Sequence, residues 1–155
     1  MGPWQPWLVI PAIAVFAVLA AVSRAPRCRV GLALVTGLVF AAGNLGWDLL
    51  AERAGWWSYP QLDTATAPLW LYAIAGLIFG AGVGLIGWRT IRRHGWRGAV
   101  AFLAAFTVVG VIRDCTVAHR YADVIRFGDG ASPWIVDAMA WLSLAALVQA
   151  THRLG

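Results

Sequence analysis

Lysine is absent from this 155-residue chain, glutamate occurs once, and only 12% of the residues are charged. A soluble domain carries roughly 25% charged residues, so the shortage excludes a soluble enzyme and a disordered tail alike. Cysteine is nearly as scarce. Cys28 and Cys115 stand far apart, with no CxxC and no metal-ligand spacing, which excludes a disulfide-stapled secreted domain. His94, His119 and His152 are scattered, and no HExxH or Cys/His zinc pattern occurs. Neither GxSxG, nor a P-loop, nor GxGxxG in a usable context is present. The sequence therefore predicts no metal and no cofactor.

What the chain has instead is apolar sequence: 61% of it is hydrophobic, with a mean hydropathy of +0.72. These residues fall in long runs broken by short polar stretches, the mark of a polytopic membrane protein. The runs predict five spans at about 7–22, 30–50, 68–88, 98–114 and 133–150. The fold class is thus an all-α integral membrane protein, a single domain over 1–155 built as a compact bundle of five transmembrane helices. The first run could be read as a signal-peptide core. Met1–Pro6 carries no basic residue, however, and the basic cluster follows the run, so a retained helix is expected.

The net charge of +5 comes from 12 arginines. They cluster between apolar runs, where they serve topology and anionic lipid, and no nucleic-acid partner is expected. Arg24, Arg27, Arg29, Arg89, Arg92, Arg93, Arg97 and Arg153 fall on one side of the five-span arrangement, and Arg53, Arg113, Arg120 and Arg126 on the other. Positive residues favour the cytoplasm, which predicts the N-terminus outside and the C-terminus cytoplasmic. Abundant Arg, Ala and Gly without Lys fits a GC-rich coding sequence, and so a multi-pass protein of a bacterial inner (plasma) membrane. Trp4, Trp7, Trp56, Trp57, Trp70, Trp88, Trp96 and Trp134 lie near span ends, as an aromatic interface belt requires. Gly76, Gly80 and Gly84 recur every four residues, with Ala73 and Gly87 beside them. Such a ridge of small residues lets helices approach closely, either within the chain or between copies in a homo-oligomer.

An ionisable residue at membrane depth costs at least about 2.5–3.5 kcal/mol and marks a site by default. Asn44, Asp48 and Glu52 are spaced by four and share a helical face. Arg113 and Asp114 end the fourth span, and His119 follows. Asp137 stands one turn inside the fifth span, between Trp134 and Trp141. All belong to the outer half, which suggests one polar cavity lined by spans two, four and five. The structural alternative is an ion-pair cluster in which Arg113 neutralises Asp114, Asp48 or Asp137, with Asp137 serving as a helix cap.

A carboxylic acid in a low-dielectric pocket keeps its proton and can donate it, and aromatic faces stabilise cations. Together they suit protonation of an alkene or epoxide followed by shielding of a carbocation. Trp47, Trp56, Trp57, Tyr59, Trp70, Tyr72, Trp134 and Trp141 could supply the faces.

Asn44-Leu45-Gly46-Trp47-Asp48, followed by Gly55-Trp56-Trp57-Ser58-Tyr59, resembles the small membrane-embedded carotenoid (lycopene-type) cyclases. Those proteins carry an Asn-x-x-Trp-Asp segment at a span end and then a Gly-x-Trp-type loop. The stretch is also similar, more distantly, to the integral-membrane terpene cyclases. The resemblance covers Asn44 to Tyr72, about a fifth of the chain, and implies a site at Asn44, Trp47 and Asp48. It departs at Pro68-Leu69-Trp70-Leu71, which has no acid where the carotenoid cyclases have Pro-x-Glu-Glu. That departure points to an isoprenoid other than lycopene.

The sequence thus predicts a cyclase or isomerase of an isoprenoid lipid, with Asp48 as proton donor oriented by Asn44. Asp114 or Asp137 would take the proton back, with Glu52 near the outer interface. The alternatives are a small proton-coupled transporter and a non-catalytic membrane subunit docked through the glycine ridge.

Overall fold

The computed structural model describes residues 8–60 and 66–153. Trp4 and Trp7, expected at the interface, and the start of the first predicted span lie outside the described residues. Helix α1 (Val9–Ser23) ends where Arg24 turns left-handed at φ 52° and donates its N–H to Ala21 O. Pro11 falls in its first turn, where a missing N–H is harmless. Pro26 precedes helix α2 (Arg27–Ala54) in extended conformation, and Gly55 closes that helix at φ 69°, a conformation glycine adopts without strain.

The next helical stretch extends from Leu69 to Arg120, 52 residues in all. It is not one rod. Gly95 has φ 58° and ψ −137°, and the chain folds back there. Phe79 and Phe106, which a straight α-helix would hold about 40 Å apart, have ring centroids 6.2 Å apart. We therefore label residues 69–94 helix α3 and residues 96–120 helix α4. Helix α5 (Ser132–Arg153) completes the bundle.

Three helical stretches, Arg27–Ala54, Leu69–Arg120 and Ser132–Arg153, are long and apolar enough to cross a membrane; Val9–Ser23 is apolar but shorter. The fold is all-α, with 84% of the described residues helical, and fits a multi-pass membrane protein. The helices overrun the predicted apolar windows at most ends, because the polar residues that close each window remain in the final turns.

Within α3, Gly76–Val83 is π-helical. Here the glycine ridge packs inside the chain. A methyl group on Gly76 would strike the carbonyl oxygen of Gly37, and one on Gly80 would lie 2.6 Å from Phe40 Cβ. The ridge then turns away from α2: Gly84 meets Val148 and His152 of α5. Of the two alternatives the sequence leaves open for the ridge, packing within the chain is the one these contacts show.

The core between these helices is aromatic. Phe40, Phe102, Phe106 and Trp141 form one buried cluster with Leu144, Ala145 and Val148, and Phe79 packs against it. Two loops are tied together at one end of the bundle by a short antiparallel ladder, β1 (Trp57–Ser58) with β2 (Arg126–Phe127), pairing Trp57 with Phe127. No strand is expected from the sequence, since two residues are too few for an alternating pattern.

Candidate functional site

Helices α2, α3, α4 and α5 enclose a cavity of about 470 Å³ beneath the β1–β2 ladder. Asp48 reaches it from α2, Asp114 from α4 and Asp137 from α5. All three are buried, at 6%, 8% and 4% exposure. Carboxylates 66 and 23 positions apart thus converge because the hairpin at Gly95 brings α4 back beside α2 and α5.

Asp48 is held by three donors. Trp57 Nε1 donates to Oδ1 at 3.0 Å, and the Tyr59 hydroxyl donates to Oδ2 at 2.8 Å. The Tyr72 hydroxyl donates to the same oxygen and itself accepts the Ala67 N–H at 3.1 Å. Three elements supply this cradle: β1, the loop after it, and α3. Tyr59 lies outside the long helices; burial, reinforced by the Asp48 charge, pushes its phenol well above the usual tyrosine range.

Asp114 is held differently. Arg113 Nη1 donates to Oδ1 and Trp141 Nε1 to Oδ2, both at 2.7 Å. The Arg113 guanidinium also stands 5.9 Å from the centroid of the Trp141 ring. The sequence-level alternative of an Arg113–Asp114 ion pair is therefore present, and it lies on the cavity wall. Asp137 rests against the Asp114 carboxyl, and its Oδ2 has no hydrogen-bond partner. It lies in the second turn of α5, past the point where a cap would act.

Of the other expected residues, Asn44, Trp47, Trp57, Tyr59, Tyr72 and Trp141 line the cavity. Trp47 Nε1 also donates to Ser143 Oγ at 2.9 Å, which pins α2 to α5. Three expectations are corrected. Glu52 is exposed and absent from the wall, because one further turn carries it past the rim of the bundle. Trp56 and Trp70 are half-buried and also do not line the cavity. Trp57, offered both for the interface belt and for the cavity wall, is buried and hydrogen-bonded and takes the second place, not the first. His119 is exposed.

Sequence reasoning missed Phe79 and Phe127, which also line the cavity. Phe79 stands between glycines of the ridge, where its spacing reads as packing; Phe127 lies in a polar loop and is aimed by the ladder, where its ring stacks on Trp134 at 4.1 Å. Among the described residues, no three His, Cys, Asp or Glu side chains are grouped to hold a metal ion. Cys28 and Cys115 are free thiols.

Comparison with protein-family models, with curated proteins and with solved structures returns no match for this chain. The functional reading rests on the site itself.

Proposed function

We propose that the protein is a membrane-embedded cyclase or isomerase of an isoprenoid-type lipid that works by proton transfer. The observation that carries this reading is the convergence of Asp48, Asp114 and Asp137, from three helices, on one aromatic-walled cavity. In this reading all five helices cross the bilayer, with the N-terminus and the carboxylate end outside and the arginine-rich end cytoplasmic, in a bacterial inner membrane.

The hydrogen bonds favour a division of labour among the acids that differs from the sequence expectation. Asp48 is saturated by donors, and Trp57 Nε1 can only donate. That environment suits a base. Asp114 is engaged by Arg113 and Trp141 and suits a fixed anion. Asp137 alone has an oxygen with no donor upon it, which suits the group that carries the proton. A proton passes from Asp137 to one carbon of an alkene, forming a C–H bond and leaving a cation on its neighbour. A second double bond can attack that cation to close a ring. Loss of a proton from an adjacent carbon to Asp48 restores an alkene, so the product is an isomer of the substrate. The rings of Trp57, Tyr72, Phe79 and Trp141 line the space where the cation forms, and aromatic faces stabilise such charge.

The aromatic cluster of Phe40, Phe79, Phe106 and Trp141 lies at the inner end of this cavity, with ring centroids 5.5–6.4 Å apart. A continuous polar path for a transported proton would have to cross it, which favours the enzyme over the transporter. The test is a comparison of lipid extracts from an isoprenoid-producing host carrying the wild type, Asp48→Asn or Asp137→Asn at matched expression. A product of unchanged mass and altered retention, found with the wild type alone, supports the reading. Identical extracts across several isoprenoid pools would contradict it.

A further inference from the structure

The carboxylate cavity is closed at its inner end. Asn44 is the innermost lining residue of α2, Phe79 of α3 and Leu144 of α5. One turn deeper on α2 and α5 stand Phe40 and Val148, both at 0% exposure, so the bundle is solid there. Phe79 crosses this end. Its ring centroid lies 5.5 Å from Trp141, 6.2 Å from Phe106 and 6.4 Å from Phe40. Phe79 is half-buried and borders the open space, whereas Phe40 and Phe106 stand behind it and do not line the cavity.

The backbone that carries Phe79 is clamped. It belongs to the π-helical segment Gly76–Val83, and the flanking Gly76 and Gly80 press against Gly37 and Phe40 of α2. Irregular turns of this kind recur at functional sites. The floor is therefore an aromatic ring on a fixed support. Asp137 stands one turn above Trp141, and Asp48 one turn above Asn44, so both acids lie about 5.4 Å above the inner end. Four chain bonds of about 1.5 Å each, laid out in a zigzag, advance about 5 Å, which is the span of one isoprene unit. A chain seated with its end on Phe79 brings its last double bond to the level of the two acids.

Charge restricts the other end of the ligand. Among the described residues the wall carries Asp48, Asp114 and Asp137 against Arg113 alone, and Arg113 already donates to Asp114. A phosphate head would place further negative charge beside these carboxyls, where low dielectric strengthens the repulsion. An uncharged head meets no such cost.

We infer that the cavity takes an acyclic isoprenoid with an uncharged head, and that Phe79 is the stop that sets its length and register. The inference rests on the isoprenoid reading of this cavity and adds to it a ligand class and a specificity-determining residue.

The test measures binding, which keeps it separate from turnover. Full-length protein in lipid nanodiscs binds tritiated farnesol, and unlabelled geraniol, farnesol, geranylgeraniol and farnesyl diphosphate compete for the site. Phe79→Ala removes a six-carbon ring, about the bulk of one isoprene unit. It should raise the affinity for geranylgeraniol relative to farnesol by about tenfold. Phe79→Trp, which adds atoms on the open side, should shift the ranking towards geraniol and decides the matter if Phe79→Ala fails to fold. Ile78→Ala, next in sequence but not on the cavity wall, should leave the ranking unchanged. Farnesyl diphosphate should compete at least about tenfold more weakly than farnesol. A ranking that neither Phe79 variant moves, farnesyl diphosphate competing as well as farnesol, or no saturable farnesol binding would each overturn the inference. A ranking that shifts as expected in a protein that forms no product would uphold the inference and contradict the proposed reaction.

Discussion

Trp141 Nε1 donates to Asp114 Oδ2 at 2.7 Å, and the same indole ring packs against Phe40, Phe79 and Phe106. One side chain therefore joins the carboxylates of the cavity to the aromatic cluster beneath it. Its position depends on Gly110 of α4, since a methyl group there would overlap the indole ring. Gly110→Ala should displace Trp141, destabilise the protein by about 1–3 kcal/mol and reduce turnover. Denaturant titration in mixed micelles, read beside product formation, checks both effects.

Asp48→Asn should abolish turnover and leave the fold intact. The amide keeps one oxygen for Trp57 Nε1, and the two tyrosine hydroxyls can rotate to accept from its NH₂ group. Loss of folding in this variant would assign Asp48 a structural role. Circular dichroism and the melting temperature separate the two outcomes.

The cradle itself can be weakened one donor at a time. Trp57→Phe removes the donor to Asp48 Oδ1 while keeping an aromatic ring, and should cost about 1–3 kcal/mol, the range for a hydrogen bond to a charged or buried group. Trp56→Phe, on a residue that does not line the cavity, should be close to neutral.

The glycine ridge makes a graded prediction. Gly76→Ala drives a methyl group into the Gly37 carbonyl, a backbone atom that cannot move aside, whereas nothing lies within 4 Å of a methyl group on Gly46. Gly76→Ala should therefore destabilise strongly. Gly46→Ala should be neutral or stabilising by up to about 1 kcal/mol from helix propensity. The same titration distinguishes them.

Tyr59 carries a pH signature. Its folded-state phenol titrates above the usual value, chiefly through burial. The resulting stability is complete below the unfolded-state value of about 10 and is lost as the pH rises through the folded-state value. Melting temperatures measured from pH 8 upward should fall less steeply above pH 10 for Tyr59→Phe than for the wild type.

Much of this was legible in the sequence, and the omissions have physical causes. The long apolar helices follow from hydropathy alone, and Asp48, Asp114 and Asp137 stood out because charge inside apolar runs is costly. Their convergence could not be read, since it depends on the fold-back at Gly95 and on which helices become neighbours. Glu52 was misplaced for a simple reason. Spacing by four shows which residues share a helical face but not where along that face the cavity ends. Trp57 could be read either as an interface residue or as a cavity face, and a two-residue ladder decides it by turning the indole towards Asp48. The glycine ridge announced close packing correctly, but only the structure shows that α2 and α5 fill it.

The most direct test of proton transfer in the cavity is isotopic. Purified protein in lipid nanodiscs is given an isoprenoid substrate in D₂O, and the product is examined by mass spectrometry and NMR. The account predicts an isomeric product carrying one solvent-derived deuterium at the protonated carbon, formed by the wild type and by neither Asp48→Asn nor Asp137→Asn. Product without deuterium, or labelled product from both variants, would contradict it.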